Sequence, residues 1–297
     1  MQHEKQVQWF PGHMAKTRRL LREQLAQVDL AVELVDARCP LSSRNPEIDR
    51  LLRDKPRILL MTKGDQADPA VTARWIRWFA EKGIPAMSAD CRSGKGLNAF
   101  PGLVRGTLSE LIERRRARGL VGQKLRLMAV GIPNVGKSSL INRLAGGKRV
   151  RVEDRPGVTR SNTWIPCGDG FELLDTPGVL WPKFEDPAVG ERLAFIGSIR
   201  DEILDTEALA CSLLHYLRNT YPEQLAARYK LDGIDPELSD YDLLCAAAKR
   251  RGCLISGGEP DTQRAAGMLL DEFRAGKIGR ISLERPDGRE AGTDEPQ

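Results

Sequence analysis

The residues with the plainest chemistry are Gly131-Ile132-Pro133-Asn134-Val135-Gly136-Lys137-Ser138-Ser139. In a G-x-x-x-x-G-K-S spacing the glycines let the backbone wrap a phosphate chain, and successive N–H groups at a helix N-terminus supply fixed positive potential. Asn134, Val135, Gly136, Lys137, Ser138 and Ser139 are then phosphate ligands, with Lys137 reaching the β- and γ-phosphates and the Ser138 hydroxyl ligating Mg²⁺. Such a loop must sit between a strand and a helix, and the flanks agree. Residues 124–130 (KLRLMAV) form a mostly apolar run of strand length, and residues 140–144 (LINRL) read as the start of a helix.

Three further sets follow strand-like runs. Thr62-Lys63-Gly64-Asp65 comes after the run 57–61, where ligands of open α/β sheets bind. The Asp65 carboxylate suits the N1–H and exocyclic amine of guanine, a pair of donors that adenine lacks. Asp and Gly after a strand are also ordinary turn formers, so this motif gains its weight from the phosphate loop in the same chain. Ser88-Ala89-Asp90 follows the run 84–87. Asp175-Thr176-Pro177-Gly178 follows 171–174, placing an acid able to hold Mg²⁺ through water and a glycine N–H able to sense a γ-phosphate. Thr159, in Arg155-Pro156-Gly157-Val158-Thr159, offers a second hydroxyl to the metal.

The elements that must position these groups alternate. A helix over 14–27 with Leu20, Leu21, Leu25 and Val28 inward leads to a strand over 29–35. Helices over 46–53, 69–82 and 97–118 then separate strands at 57–61, 84–87 and 124–130. This pattern predicts an α/β fold, a mostly parallel sheet with helices on both faces. Trp75, Ile76, Trp78 and Phe79 read as core packing on the second of those helices. From 187 to 276 the pattern changes to helices without strands, at 204–217, 241–251 and 262–275, which predicts a C-terminal all-helical domain. Residues from about Glu284 on mix charge with Pro and Gly and read as a disordered tail.

Composition fits two domains in 297 residues with a net charge of +5. The six cysteines are scattered with no C-x-x-C pair, so neither a zinc site nor a disulfide framework is indicated. No apolar run approaches the roughly 18 residues of a membrane span, and the opening residues are too polar for a signal peptide. A soluble cytoplasmic protein is the expectation. Basic clusters at Arg114, Arg115, Arg116 and Arg118, and at Lys249, Arg250 and Arg251 with Arg264, Arg274, Lys277 and Arg280, permit RNA phosphate contacts, or are solvated faces.

The chain resembles the circularly permuted GTPases of the ribosome biogenesis GTPase A (YlqF) family along nearly its whole length. The resemblance rests on W-F-P-G-H-M-A-K at 9–16, D-A-R-x-P-x-S-S-R-N at 36–45, G-I-P-N-V-G-K-S at 131–138, R-P-G-V-T at 155–159 and D-T-P-G-V-L-W-P-K-F at 175–184. In Ras-like GTPases the phosphate loop precedes the guanine motif; here Asp65 precedes Lys137, an order that neighbouring termini make tolerable. The resemblance implies a P-loop GTPase domain over 1–183, with a flexible catalytic segment at 1–16, a helical RNA-contacting domain over 184–283 and a tail over 284–297. It implies GTP/GDP and a large ribosomal subunit precursor as partners of a monomeric protein, and the family assigns water activation to the histidine matching His13. Val179, where Ras-like enzymes commonly carry glutamine, cannot orient water. Asn134 matches the asparagine that coordinates K⁺ in several related GTPases; supporting the loop backbone is its other role.

Two departures stand out. Thr62 replaces the usual asparagine of the guanine motif, removing an amide that bridges base and phosphate loop, and Asp90 replaces the usual lysine after Ser88-Ala89. Permutation also leads Asp175 to Gly178 directly through Trp181-Pro182-Lys183 into the helical region, which predicts coupling of nucleotide state across that junction. Alternatives are a GTPase switch acting on a protein or tRNA-modifying partner, and an RNA-binding assembly factor with little turnover.

Overall fold

The computed structural model describes residues 19–52, 55–147, 164–176, 178, 184, 186–231, 235 and 237–286. His13, Thr159, Val179, the junction at 181–183 and the tail at 287–297 lie outside them.

Among the described residues six strands form one sheet: β1 (Leu30–Asp36), β2 (Arg57–Thr62), β3 (Ala86–Ser88), β4 (Leu125–Gly131), β5 (Trp164–Cys167) and β6 (Phe171–Asp175). Their order is β3-β2-β1-β4-β6-β5. All neighbours pair in parallel except β5, which runs antiparallel to β6 at the edge. This is the mostly parallel sheet that the alternating runs predict. β1 is buried at every position, and only one residue of β4 is exposed, because the sheet is covered on both faces. Parallel pairing puts the carboxyl ends of β1 to β4 and β6 along one edge, and the order reverses between β1 and β4, which opens the crevice where such sheets take ligands.

The described helices that alternate with the strands in sequence are α1 (Pro46–Leu51), α2 (Pro69–Glu81), α3 (Phe100–Thr107), α4 (Ser109–Ala117) and α5 (Lys137–Leu144). Asn45 caps α1 by accepting from the Glu47 N–H at 2.9 Å, with Pro46 in the first turn. Residues 19–25 are helical, and Leu21, Leu25 and Val28 pack with Ile48, Leu52, Met128 and Val130. Trp75 and Phe79 are core, as their spacing implies. The single helix expected over 97–118 is broken instead: a short 3-10 turn at Leu97–Ala99 precedes α3, and Leu108 leaves helical geometry (φ −102°, ψ 16°) before α4. Gly102 and Gly106 lower the helix propensity just before the break.

By density of internal contact the described residues fall into two units. One holds those of Met1–Asp36, Ser43–Lys63 and Ile76–Pro187; the other holds those of Ala37–Ser42, Gly64–Trp75 and Ala188–Gln297. Two N-terminal segments thus belong with the C-terminal helices, which are α6 (Pro187–Phe195), α7 (Thr206–Thr220), α8 (Pro222–Tyr229), α9 (Asp240–Arg251) and α10 (Thr262–Arg274). α6 and α8 are additional to the helices expected there, each opened by a proline in its first turn. Within this unit Glu272 is buried and accepts from the Arg228 guanidinium, Arg251 (2.7 Å) and the Tyr229 hydroxyl (3.0 Å). Glu284, expected as the first residue of a disordered tail, is buried. Its carboxylate accepts from the N–H groups of Leu41 (2.8 Å) and Ser42 (2.9 Å) and from the Ser42 hydroxyl.

Candidate functional site

β4 ends at Gly131 and α5 begins at Lys137, so the loop between them lies at the β1–β4 crevice. Its conformation needs special residues. A Cβ on Gly131 would meet the Leu34 carbonyl oxygen at 2.6 Å, and Gly136 caps α5 with φ 101°. Asn134 has φ 59°, left-handed backbone that asparagine tolerates better than most residues.

Lys137 is buried, and its ammonium donates to the carbonyl oxygens of Gly131 (3.1 Å) and Ile132 (2.7 Å). Burial pushes its pKa down to about 8, and the charge of Asp175 acts in the opposite direction. A cation curled under a loop of N–H groups is placed to accept polyphosphate oxygens. Ser138 and Ser139 follow in the first turn of α5, both half-buried.

On the next strand Asp175 closes β6, buried, in register with Ala129 of β4. Thr176 is anchored by its hydroxyl, which donates to the Ala129 carbonyl at 2.6 Å. Gly178 then passes so close to the loop that a Cβ there would lie 2.7 Å from the Pro133 nitrogen and 3.0 Å from Lys137 Nζ. Gly178 therefore lies against the phosphate loop, beside Pro133 and Lys137.

A hydroxyl at Ser138 and a buried carboxylate at Asp175 make a hard oxygen donor set. That set fits Mg²⁺, the metal GTPases generally use, which binds through one or two protein groups plus phosphate and water. Among the described residues no cluster of three or more His, Cys, Asp and Glu side chains is arranged to hold a metal by itself.

The strand ends beyond β1 and β2 carry the other predicted groups. Thr62 is buried, and its hydroxyl lies 2.6 Å from the Val135 carbonyl oxygen in the phosphate loop and 3.0 Å from that of Val35. The Thr62 hydroxyl thus ties the end of β2 to the phosphate loop. Lys63 has φ 55° and pairs with the buried Asp36 at 3.0 Å. Asp65 is exposed in the turn after β2.

Ser88 ends β3, and the Ala89 N–H donates to the Met61 carbonyl. The Asp90 carboxylate caps its own turn, accepting from the N–H groups of Arg92 (2.7 Å) and Ser93 (3.1 Å). Partial burial raises its pKa, and these hydrogen bonds outweigh that and leave it lowered.

The motif at 36–45 is an anchoring device whose partners sequence spacing did not reveal. Arg38 is buried, donates to the Phe273 carbonyl at 3.1 Å and stacks 5.0 Å over the Phe273 ring. Arg44 pairs with Glu33 at 2.8 Å and Asp49 at 2.6 Å. Of the basic residues noted in the helical region, Arg274 is consumed internally by Asp201, Phe195 and Ala194, and Arg251 by Glu272. Lys249, Arg250, Arg264, Lys277 and Arg280 are exposed.

A phosphate loop after β4, an acid and glycine after β6, and a T-K-x-D turn ahead of both in sequence define a P-loop GTPase of circularly permuted order, which hydrolyses GTP to GDP and phosphate. Residues 126–242 match a family model described as 50S ribosome-binding GTPase. The chain is 48% identical over 285 residues to ribosome biogenesis GTPase A of Priestia megaterium, covering 96% of this chain and 98% of that one. It therefore belongs to the ribosome biogenesis GTPase A family. Among solved structures, GNP-bound YlqF from T. maritima aligns with a TM-score of 0.64 at 27% identity, covering 92% of this chain and all of that one. The GDP-bound structure of TM YlqF aligns at 0.63 and 28% identity, covering 91% of this chain and 100% of that one. No described helix is long and apolar enough to cross a membrane.

Proposed function

We propose that the protein is an assembly factor that binds the maturing large ribosomal subunit in its GTP state and leaves after the particle stimulates hydrolysis. The support is whole-length similarity to proteins named ribosome biogenesis GTPase A, together with a nucleotide edge on which Gly178 rides against the phosphate loop. In this reading residues 1–183 are the cytoplasmic switch and 184–283 contact RNA, with Lys249, Arg250, Arg264, Lys277 and Arg280 as the phosphate-facing cations. The phosphates are held by residues 134–139 and sensed by Gly178. Mg²⁺ is held by Ser138, Thr159 and, through water, Asp175. Asp65 reads the guanine with help from the turns at Thr62, Lys63, Ser88 and Ala89, while Asp90 shapes its turn.

Catalysis falls to His13, because Val179 offers no hydrogen bond to water; Lys137 and the loop neutralise developing charge. The left-handed backbone of Asn134 favours a loop-supporting role there, with K⁺ stimulation of turnover the outcome that would add a ligand role. Co-sedimentation with large-subunit precursors tests the whole. Binding is expected with GTP or a non-hydrolysable analogue and weak binding with GDP; equal binding in all three states overturns the reading. His13→Ala abolishes particle-stimulated hydrolysis with nucleotide affinity nearly intact, and a normal stimulated rate removes His13 from the mechanism.

A further inference from the structure

The turn that carries Asp65 is fixed at its exit. Immediately after it, the chain is held by residues that come more than two hundred positions later. The Gln66 carbonyl accepts from the Ile281 N–H at 2.8 Å, and the Asp68 N–H donates to the Ser282 hydroxyl at 3.2 Å. Gln66 is buried against Gly276, where a Cβ would lie 2.8 Å from Gln66 Cγ, and Gly276 has φ 70°. The Gln66 Oε1 accepts no hydrogen bond among the described residues, a cost the side chain would escape in water, so its place is imposed by what surrounds it.

The imposing segment is itself anchored. The Ser282 N–H donates to the Tyr221 hydroxyl at 3.0 Å, and the Tyr216 hydroxyl donates to the Ser282 carbonyl at 2.6 Å. The Leu283 N–H donates to the Arg38 carbonyl at 2.6 Å, and the Trp75 indole N–H to that of Glu284 at 3.3 Å. Every one of these partners lies in the unit that also holds Asp65.

We propose that the returning segment 276–284, through Gly276, Ile281 and Ser282, is the positioning element that aims the Asp65 carboxylate at the guanine base. This rests on Asp65 being the base reader. An exposed carboxylate on a short turn discriminates bases only if both of its oxygens are held where the N1–H and 2-amino donors arrive. The Ile281 N–H, which donates to Gln66, and the Ser282 hydroxyl, which accepts from the Asp68 N–H, set the exit of that turn.

The test compares GDP with IDP, whose base lacks the 2-amino donor, on the full-length protein by competitive titration. Both ligands titrate the same preparation, so their affinity ratio is independent of the folded fraction. Asp65→Asn collapses the GDP preference. Ser282→Ala and Gly276→Ala each lower the GDP:IDP ratio by at least about threefold, as expected for a misaimed charged hydrogen bond, while pyrophosphate affinity stays unchanged. A wild-type ratio in both strap variants, beside a collapsed ratio in Asp65→Asn, overturns the positioning role and leaves the base reading standing. A wild-type ratio in Asp65→Asn overturns the base reading itself, and the proposal with it.

Discussion

The hydroxyl of Thr62 is 2.6 Å from the carbonyl oxygen of Val135, so the end of β2 is tied by one short hydrogen bond to the middle of the phosphate loop. Both residues are buried, and removing the hydroxyl strands a carbonyl that water cannot reach. Thr62→Val, nearly isosteric, is expected to cost roughly 1–3 kcal/mol of stability and to weaken GDP binding. Thr62→Ser should stay close to wild type. Thermal melts and GDP titration of the pair check this.

Gly178→Ala forces a methyl group into the backbone of Pro133 and against Lys137 Nζ. Overpacking of this kind costs about 1–3 kcal/mol, so the segment must lift from the loop. The loss should be larger for a GTP analogue than for GDP, since only the former needs the Gly178 N–H. Equal loss for both would mean that the glycine only makes room.

The buried Lys137 gives the protein a pH signature. Its folded pKa, about 8, lies below the ordinary lysine value of 10.5, so the cost of burying the ammonium is fully present below pH 8 and is relieved as pH rises from about 8 to 10.5. Stability of the nucleotide-free protein should gain over that window. Phosphate binding requires the ammonium, so GDP affinity should fall above pH 8 by up to about tenfold per unit. Lys137→Met removes the stability gain, which denaturant melts at pH 7.5 and 9.5 can measure.

In the helical unit Glu272 gathers two guanidinium groups and a tyrosine. Burial raises its carboxyl pKa, but the hydrogen bonds from Arg228 and Tyr229 outweigh this and leave it lowered. Its contribution is therefore present above the ordinary carboxyl pKa and is lost as pH falls through the depressed folded value. Glu272→Gln should cost roughly 1–3 kcal/mol by weakening the charged hydrogen bonds from Arg228 and Arg251, read from urea unfolding at pH 7, with a smaller difference from wild type near pH 3.

Much of the nucleotide edge was legible because its determinants are local. A phosphate loop is one strand end and one helix start, and Gly131, Gly136 and Lys137 lie within seven residues of one another. The parallel sheet followed from alternation of apolar runs. What stayed hidden depends on contacts far apart in the chain. Nothing near Arg38 announces the Phe273 carbonyl and ring, and nothing near Glu284, in a stretch of tail-like composition, announces the N–H groups of Leu41 and Ser42. The break at Leu108 and the short helices α6 and α8 were missed because apolar spacing averages over elements of eight or nine residues.

The return of residues 276–284 onto the turn after β2 sets an order of events during synthesis. A growing chain emerges N-terminus first and folds as its units are completed. Every strand of the sheet has been made by Asp175, and the phosphate loop with it, yet the clasp on Gln66 and Asp68 is not made until Ile281 and Ser282 follow. On the positioning role proposed for that segment, polyphosphate binding precedes base selection as the chain is made.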